Sequence, residues 1–376
     1  MSVIRLSRAS VGQEEKDAVG RVLDLGYLGM GAEVQALETE LQAALGTQHE
    51  VICVSTGTAA LHLAVSCLGL GPGDEVLVPT ITYVASFQAV TATGATPVAC
   101  EVTADRIFID LEDAERRVTA NTKAIMPVHY ASDSSDMAAV YAFAERHGLR
   151  VIEDAAQSFG CERDGIAVGA TGDILCFSFD GIKNITCGEG GAVVTGDPAL
   201  AQRLRDARLL GVERDTEKRY SGQRSWDFDV SEQGFRYHMS NLMAAVGRAQ
   251  LAKLPRFAER RRALARRYRQ AFAGSNSVRL LDFDFEAIVP HIFVVRVNAG
   301  NRDALADHLR AHGIECGIHY KPNHLLTRFA DGEARPVAEA AYAELISLPL
   351  HVELAEAEQD RVIEEVLGFL RGTPNA

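Results

Sequence analysis

The sequence of 376 residues has no run of about 20 uninterrupted apolar residues, which is what a membrane-spanning helix needs. No apolar segment follows the arginines near the N-terminus, so no secretory signal is expected. Seven cysteines occur without a C-x-x-C pair, which argues against a zinc site and against a disulfide scaffold. These absences predict a cytoplasmic protein with no membrane partner and no metal centre.

Positive charge is also scarce, because the 38 basic residues are outnumbered by 51 acidic residues and the net charge is −13. The densest basic run lies between Arg256 and Arg269, and its spacing is typical of the solvated face of a helix. We therefore expect no nucleic-acid partner. No P-loop and no G-x-G-x-x-G motif occurs, which disfavours the common nucleotide-binding folds.

The hydrophobic pattern predicts an α/β protein. From about residue 50 to residue 200, short apolar runs alternate with helical patterns, as in a mostly parallel sheet covered by helices on both faces. A long arginine-rich helix, 251–273, is expected to connect this part to a smaller C-terminal α+β domain. There we predict a strand at HIFVVRVN and helices at RDALADHLRAHG, AEAAYAELI and AEQDRVIEEVLGFL. The expected domains are 1–250 and 251–376.

The first candidate site follows the apolar run VICVS. The residues Ser55, Thr56, Gly57 and Thr58 stand directly before a predicted helix. The N-terminus of a helix presents free backbone N–H groups and a positive dipole, which suit a phosphate group. An ordinary helix cap would have the same residue types.

The second candidate site is VIEDAAQSFG, in which a predicted strand ends in Asp154 and Gln157 follows. Ligands of such sheets gather at the carboxyl ends of the strands. A carboxylate there can bind a metal, a sugar hydroxyl or a protonated ring nitrogen. It can also simply cap a helix.

The third candidate site is Lys183, in CFSFDGIKNITCGEGG. Only six of the 38 basic residues are lysines, so a lysine rather than an arginine in this loop is unusual for this chain. A desolvated lysine can lose its proton near neutral pH and form a Schiff base. A solvated loop lysine is the simpler interpretation when the motif is taken alone.

One cofactor would need all three sites. Pyridoxal 5'-phosphate requires a phosphate cradle, a carboxylate for its pyridine nitrogen and a lysine for its aldehyde. Tyr83, in PTITYVAS, could stack on the ring or could pack in the core. The combination indicates a pyridoxal phosphate enzyme.

The motifs STGTAAL, PTITYVAS, EDAAQSFG, FSFDGIKNITCGEGG and GFRYHMSNLMAAVGRAQL, in this order, resemble the DegT-type sugar aminotransferases. This family belongs to the fold-type I, or aspartate aminotransferase, superfamily, and the resemblance runs from about Val11 to Pro349. It implies a homodimer with active sites at the subunit interface. It also implies transfer of an amino group, usually from glutamate, to a keto or aldehyde sugar that is most often nucleotide-linked. Such amino sugars enter cell-surface glycans, such as lipopolysaccharide, or natural products.

The resemblance implies a role for each matching residue. Lys183 would form the Schiff base, Asp154 would bind the pyridine nitrogen, and Gln157 would contact the ring hydroxyl. Tyr83 would stack on the ring. The phosphate would be held by three residues: Gly57, Thr58 and Ser178.

The sequence departs from the family at one place. Relatives have an asparagine within the stretch written here as GFRYH, and it reaches the phosphate in the other subunit. This chain offers Arg236 and His238 instead. The segment GIHYKPNHL resembles the substrate side of the family site and implicates His319, Tyr320 and His324, which could equally be ordinary loop residues.

Two other functions remain possible from the sequence. Some relatives are sugar dehydratases in which a histidine replaces the lysine, and Lys183 argues against that branch. A sensor or binding protein on this fold would not need the complete lysine, aspartate and phosphate set. We therefore expect an aminotransferase, although the sequence does not identify its sugar.

Overall fold

The computed structural model describes residues 3–134, 136–298 and 300–372. Its centre is a seven-stranded sheet in the spatial order β1, β9, β8, β5, β4, β2, β3. The strands of this sheet are β1 (Glu50–Val54), β2 (Glu75–Pro79), β3 (Thr96–Cys100), β4 (Thr122–Ile125), β5 (Arg150–Asp154), β8 (Ile174–Ser178) and β9 (Gly191–Thr195). A two-stranded hairpin between β5 and β8 consists of β6 (Glu162–Arg163) and β7 (Ile166–Ala167).

The sheet is parallel except for β9, which runs antiparallel to both of its neighbours. Strands β1 and β8 therefore point the same way, and six strands end at one edge of the sheet. This arrangement confirms the mostly parallel sheet predicted from the sequence. It also brings the segments that follow β1, β5 and β8 to one edge.

Helices cover both faces of the sheet. In β8, Leu175 and Phe177 pack into one buried apolar cluster, whereas Ile174 and Cys176 pack into another. This alternation is what a strand buried on both faces requires. The helices of this part are α1 (Gln13–Leu25), α2 (Ala32–Leu45), α3 (Gly57–Cys67), α4 (Ala85–Thr91), α5 (Leu111–Arg117), α6 (Met137–His147), α7 (Pro198–Ala207), α8 (Asp215–Tyr220) and α9 (Asn241–Leu251).

The C-terminal part is α+β, as expected. Its three antiparallel strands are β10 (Val278–Leu280), β11 (Phe293–Val297) and β12 (Leu345–Leu348). Its helices are α10 (Leu254–Phe272), α11 (Arg302–Ala311), α12 (Pro336–Glu344) and α13 (Glu356–Gly372). Pro255 lies in the first turn of α10, where a missing backbone N–H costs no hydrogen bond, so it starts the helix and does not interrupt it. The division of domains at residue 250 stays a prediction.

One predicted element is wrong in part. The stretch AEAAYAELI was predicted to be helical, but α12 ends at Glu344 and the next four residues form β12. β12 is completely buried and pairs with β11. Long-range pairing therefore overrides the local helical pattern. Among the described residues, each helix is too short or too polar to cross a lipid bilayer.

Candidate active site

A cavity of about 520 Å³ lies at the edge of the large sheet where the parallel strands end. Residues that follow β1, β2, β5 and β8 line it, together with two residues from the C-terminal part. The lining residues are Thr56, Gly57, Thr58, Leu61, Thr82, Tyr83, Ala85, Val128, Asp154, Ala156, Gln157, Ser178, Asp180, Ile182, Lys183, Glu189, His319 and Tyr320. The cavity therefore unites the three candidate sites of the sequence.

One end of the cavity is the N-terminus of α3. Thr56 caps this helix, and its side-chain oxygen accepts a hydrogen bond from the N–H of Ala59 at 2.9 Å. Within the described chain, the N–H groups of Gly57 and Thr58 donate to no protein acceptor. These free donors and the positive helix dipole make an anion site.

The anion site needs glycine at its first helical position. A Cβ atom on Gly57 would lie 2.7 Å from Cβ of Ser178 and 2.9 Å from its Oγ. The glycine therefore lets the start of α3 approach the end of β8 closely. This approach places the Ser178 hydroxyl beside the free N–H groups.

Asp154 ends β5 and is buried, with 6% of its surface exposed. Its carboxylate accepts hydrogen bonds from Ser86 Oγ at 2.7 Å and from the N–H of Ala156 at 3.2 Å. Burial raises the pKa of Asp154, although these hydrogen bonds and the charge of Lys183 oppose the shift. Both of these hydrogen-bond donors are uncharged. The carboxylate can therefore still take a cationic partner.

Lys183 lies in the loop between β8 and β9. Its Nζ atom is 3.4 Å from Nε2 of His291, which begins the segment before β11. Burial lowers the pKa of Lys183, although the charges of Asp154 and Asp180 oppose the shift. Burial, reinforced by the Lys183 charge, holds the pKa of His291 well below its ordinary value. The site thus presents an amine that loses its proton more easily than a solvated lysine does.

Three neighbouring side chains, Gln157, Tyr320 and Tyr83, line another part of the cavity. Gln157 Nε2 donates to Tyr320 Oη at 2.9 Å, and Gln157 Oε1 accepts from the N–H of Ala131 at 2.8 Å. The ring of Tyr83 lies 5.8 Å from that of Tyr320, centroid to centroid. Tyr83 is 61% exposed, so it stands at the cavity mouth and is not a core residue.

His319 lies next to Tyr320 on the cavity wall. Its Nδ1 atom is 2.7 Å from Ser347 Oγ, on β12. Burial and the charge of Lys183 lower the pKa of His319 to about 4. A neutral imidazole therefore faces the cavity at physiological pH.

Three of the predicted residues lie outside the cavity lining. His324 is buried between Thr80 Oγ1 at 2.7 Å and Glu339 Oε1 at 3.2 Å, and its place on the substrate side stays a prediction. Arg236 is exposed and forms an isolated bridge with Leu209. Burial lowers the pKa of His238 to about 4. The contact predicted for Arg236 and His238 is with a second subunit and stays a prediction.

Two residues that contact Asp154 and Lys183 could not be identified from the sequence. Ser86 donates to Asp154 and is the last residue of the motif PTITYVAS, three residues after Tyr83. His291 contacts Lys183 from 108 residues away along the chain. No local pattern marks His291, because HIFVVRVN was informative only as a strand.

The donor set fits pyridoxal phosphate. The free N–H groups at α3 suit its phosphate, and the buried amine of Lys183 suits its aldehyde. Asp154, whose hydrogen-bond donors are both uncharged, suits a protonated ring nitrogen. These three features lie in one cavity.

The chain matches proteins of known structure over nearly its whole length. DesV from S. venezuelae, solved in complex with a ketimine intermediate, has 38% identity and a TM-score of 0.87, covering 96% of this chain and 95% of DesV. Spr1654 from Streptococcus pneumoniae, a candidate sugar aminotransferase in its PLP form, has 29% identity and a TM-score of 0.92. The match covers 99% of this chain and 100% of Spr1654.

A third similar structure is PseC from Helicobacter pylori, an aminotransferase involved in the biosynthesis of pseudoaminic acid. It has 25% identity and a TM-score of 0.92, and the match covers 99% of this chain and 100% of PseC. The family model for the DegT/DnrJ/EryC1/StrS aminotransferases matches residues 9–367. The chain therefore belongs to the DegT/DnrJ/EryC1/StrS aminotransferase family and is a sugar aminotransferase that depends on pyridoxal phosphate.

Proposed function

We propose that this enzyme takes the amino group from glutamate and transfers it to a keto or aldehyde group of a nucleotide-linked sugar. The observation that carries the proposal is the cavity itself, in which the buried amine of Lys183 and the carboxylate of Asp154 lie together beside the anion site. The family match and the similarity to sugar aminotransferases such as Spr1654 support the sugar as acceptor.

Three groups of the chain hold the cofactor in this proposal. The N–H groups of Gly57 and Thr58 and the hydroxyl of Ser178 bind the phosphate. Asp154 binds the protonated ring nitrogen, and Lys183 forms the covalent link. When bound, pyridoxal phosphate supplies an aldehyde that combines with amines and a ring that withdraws electrons.

Lys183 also moves the proton in this proposal. Once the amino donor has displaced it, the free ε-amine accepts the proton from Cα of the donor. Burial favours this role because it lowers the pKa of Lys183. The same amine would pass that proton on to the cofactor, and in the second half-reaction it would work in the opposite sense and give a proton to the sugar carbon that takes the amino group.

The remaining wall residues orient the cofactor and the substrate. Tyr83 covers the ring from the cavity mouth, and Gln157 contacts the ring hydroxyl. His319 and Tyr320 face the substrate. Gln157 is well placed for this because Tyr320 and the backbone of Ala131 hold its amide in one orientation.

The active enzyme is a homodimer in this proposal. Arg236 or His238 of one subunit replaces the family's asparagine and donates to the phosphate in the other subunit. The exposure of Arg236 on the isolated chain supports this role, since a side chain that reaches a partner must leave its own surface. Charge-assisted hydrogen bonds are about twice as strong as neutral ones, so an arginine would bind the phosphate at least as firmly as an amide.

A two-stage assay tests the proposed donor and acceptor. The purified holoenzyme is first mixed with glutamate, and the loss of its visible absorbance and the release of 2-oxoglutarate are measured. The enzyme that has reacted with glutamate is then separated from it and assayed with a panel of keto sugars, free and nucleotide-linked. We expect glutamate to bleach the visible absorbance of the holoenzyme, and we expect turnover mainly with nucleotide-linked sugars. Conversion by another amino donor alone, or a preference for free sugars, would reject that part of the proposal.

A further inference from the structure

We propose that His308, His312 and Glu365 form a binding site for one divalent transition-metal ion, Zn²⁺ by the chemistry of its ligands. One ligand atom from each residue lies within 4.8 Å of the other two. The site joins α11 to α13 in the C-terminal part of the chain. None of its residues lines the active-site cavity.

The two histidines are four residues apart at the end of α11. Residues with this spacing project from the same face of a helix, and a pair of histidines so placed is a known zinc-binding arrangement. Their ring centroids are 4.2 Å apart. Glu365, on α13, completes a set of two imidazoles and one carboxylate, which suits Zn²⁺ and its neighbours in the first transition row.

The distances are close to those that a bound ion needs. Glu365 Oε2 lies 2.9 Å from Nε2 of His308 and 3.9 Å from Nε2 of His312. Zinc bonds of about 2.0–2.2 Å in a tetrahedral site separate neighbouring ligand atoms by about 3.4 Å. Shifts of about 0.5 Å in each side chain would therefore bring both nitrogens to that separation.

The hydrogen bond of His312 fixes which nitrogen faces the ion. Its Nδ1 atom lies 2.8 Å from the carbonyl oxygen of His308. A carbonyl can only accept a hydrogen bond, so Nδ1 of His312 carries a proton and Nε2 is the nitrogen left to bind an ion. Nε2 of His308, which donates to Glu365, would release its proton when the ion binds. Metal-binding histidines are commonly oriented in this way by their second nitrogen.

The surroundings leave room for an ion and for water. The side chains of His308 and Glu365 are 25% and 26% exposed. The ring of Phe369 lies 5.1 Å from that of His308 and supports it. The negative end of the α11 dipole favours a cation, whereas Arg361, which donates to the carbonyl of His312, opposes one. Three protein ligands would leave a fourth position for water.

The expected role of the ion is to join the two helices. A ligand that binds only the folded state stabilises it by mass action. Zn²⁺ should therefore raise the melting temperature of the holoenzyme. It should not change the basal transamination rate, because the site lies outside the cavity.

Metal titrations of the chelator-treated holoenzyme test the proposal. Co²⁺ is followed by its visible spectrum and Zn²⁺ by calorimetry, and we expect one ion per chain. Loss of a partner that merely orients a ligand costs about 10–100-fold in metal affinity, so His308→Ala should cost at least that much. His147→Ala is the matched control, because His147 pairs with Glu115 at 3.0 Å as a single histidine.

Two outcomes would overturn the proposal. The first is wild-type protein that binds neither ion with one-to-one stoichiometry. The second is equal affinity in wild type, His308→Ala and the more exposed variant His312→Ala. Metal-free melting curves of each variant show whether it is folded, and His312 is 44% exposed, so its replacement should leave folding intact.

Discussion

Burial acts in opposite directions on the two central residues of the active site. It raises the pKa of Asp154 and lowers the pKa of Lys183, so it favours the uncharged form of each group. Their mutual attraction and the hydrogen bond from Ser86 to Asp154 oppose this effect. A cationic ring nitrogen would hold Asp154 ionised, whereas the low pKa of Lys183 favours a reactive amine. Burial thus prepares Asp154 to bind a cationic ring nitrogen and Lys183 to react as an uncharged amine.

Asp154→Asn should retain the cofactor but slow both half-reactions. An amide cannot keep the ring nitrogen protonated, and loss of one hydrogen bond to a charged group costs about 1.5–3 kcal/mol in binding. The rate should fall further than the affinity, because the reaction depends on the charge. Cofactor affinity and single-turnover rates with glutamate measure the two effects separately. Near-wild-type rates would show that Asp154 does not bind the ring.

His319 should make the protein less stable in acid. Its folded-state pKa is about 4, whereas an unfolded histidine has its ordinary value of 6.5. The unfolded chain therefore binds an extra proton as the pH falls from 6.5 to 4, and stability falls with it; above pH 6.5 there is no effect.

His319→Gln tests this dependence. The variant should lose less stability than wild type between neutral pH and pH 5, as measured by melting temperature, because glutamine cannot take up the proton. Ser347 can still bond to the glutamine amide. Equal losses in both proteins would mean that His319 is not held neutral in the folded enzyme.

At the scale of elements, the close approach of α3 and β8 builds the phosphate end of the site. Gly57→Ala should weaken cofactor binding, because its Cβ atom would lie 2.7 Å from Cβ of Ser178. Overpacking of this kind costs about 1–3 kcal/mol. Equilibrium dialysis of the cofactor measures the change.

Gly20→Ala is the control for this substitution. Gly20 lies within α1, and a Cβ atom there would meet nothing within 4 Å. Alanine in a helix is favoured over glycine by about 1 kcal/mol, so this variant should be slightly more stable and should bind the cofactor normally. Equal cofactor affinity in both variants would argue against the tight α3 and β8 contact.

Elements with local signals were predictable from the sequence, and elements set by distant pairing were not. The parallel strands β1, β5 and β8 follow from short apolar runs. The antiparallel direction of β9 and the existence of β12 do not, because each depends on partners far along the chain. The site shows the same division. Most of the motif residues meet in the cavity, whereas no motif marks His291, because only the fold brings it to Lys183.

At the scale of the whole molecule, the cavity mouth carries exposed apolar side chains. Tyr83 is 61% exposed and Ile182 is 40% exposed, and both line the cavity. Trp226, at 87%, and Phe228, at 54%, are exposed in the segment that leads to Arg236. Exposed apolar surface of this kind is typical of an interaction site. It supports the proposal that a second subunit completes the active site.

Hybrid dimers test this proposal. We expect Arg236→Ala to weaken cofactor binding and Lys183→Ala to abolish turnover. If Arg236 acts across the interface, a dimer with one chain of each variant has one site that carries both defects and one intact site. Mixing Arg236→Ala with Lys183→Ala under conditions that let subunits exchange should then restore activity at limiting cofactor concentration. If Arg236 acts within its own chain, each site of the hybrid is defective and mixing restores nothing.

The most direct test of the central claim is to identify which lysine carries the cofactor. Borohydride reduction of the purified holoenzyme, followed by peptide mass spectrometry, fixes the cofactor to the residue that binds it covalently. We predict that, of the six lysines in the chain, Lys183 alone is modified. Treatment with glutamate before reduction should prevent the modification, and Lys183→Ala should remain folded but unlabelled. Modification of another lysine, or unimpaired transamination by Lys183→Ala, would contradict the account.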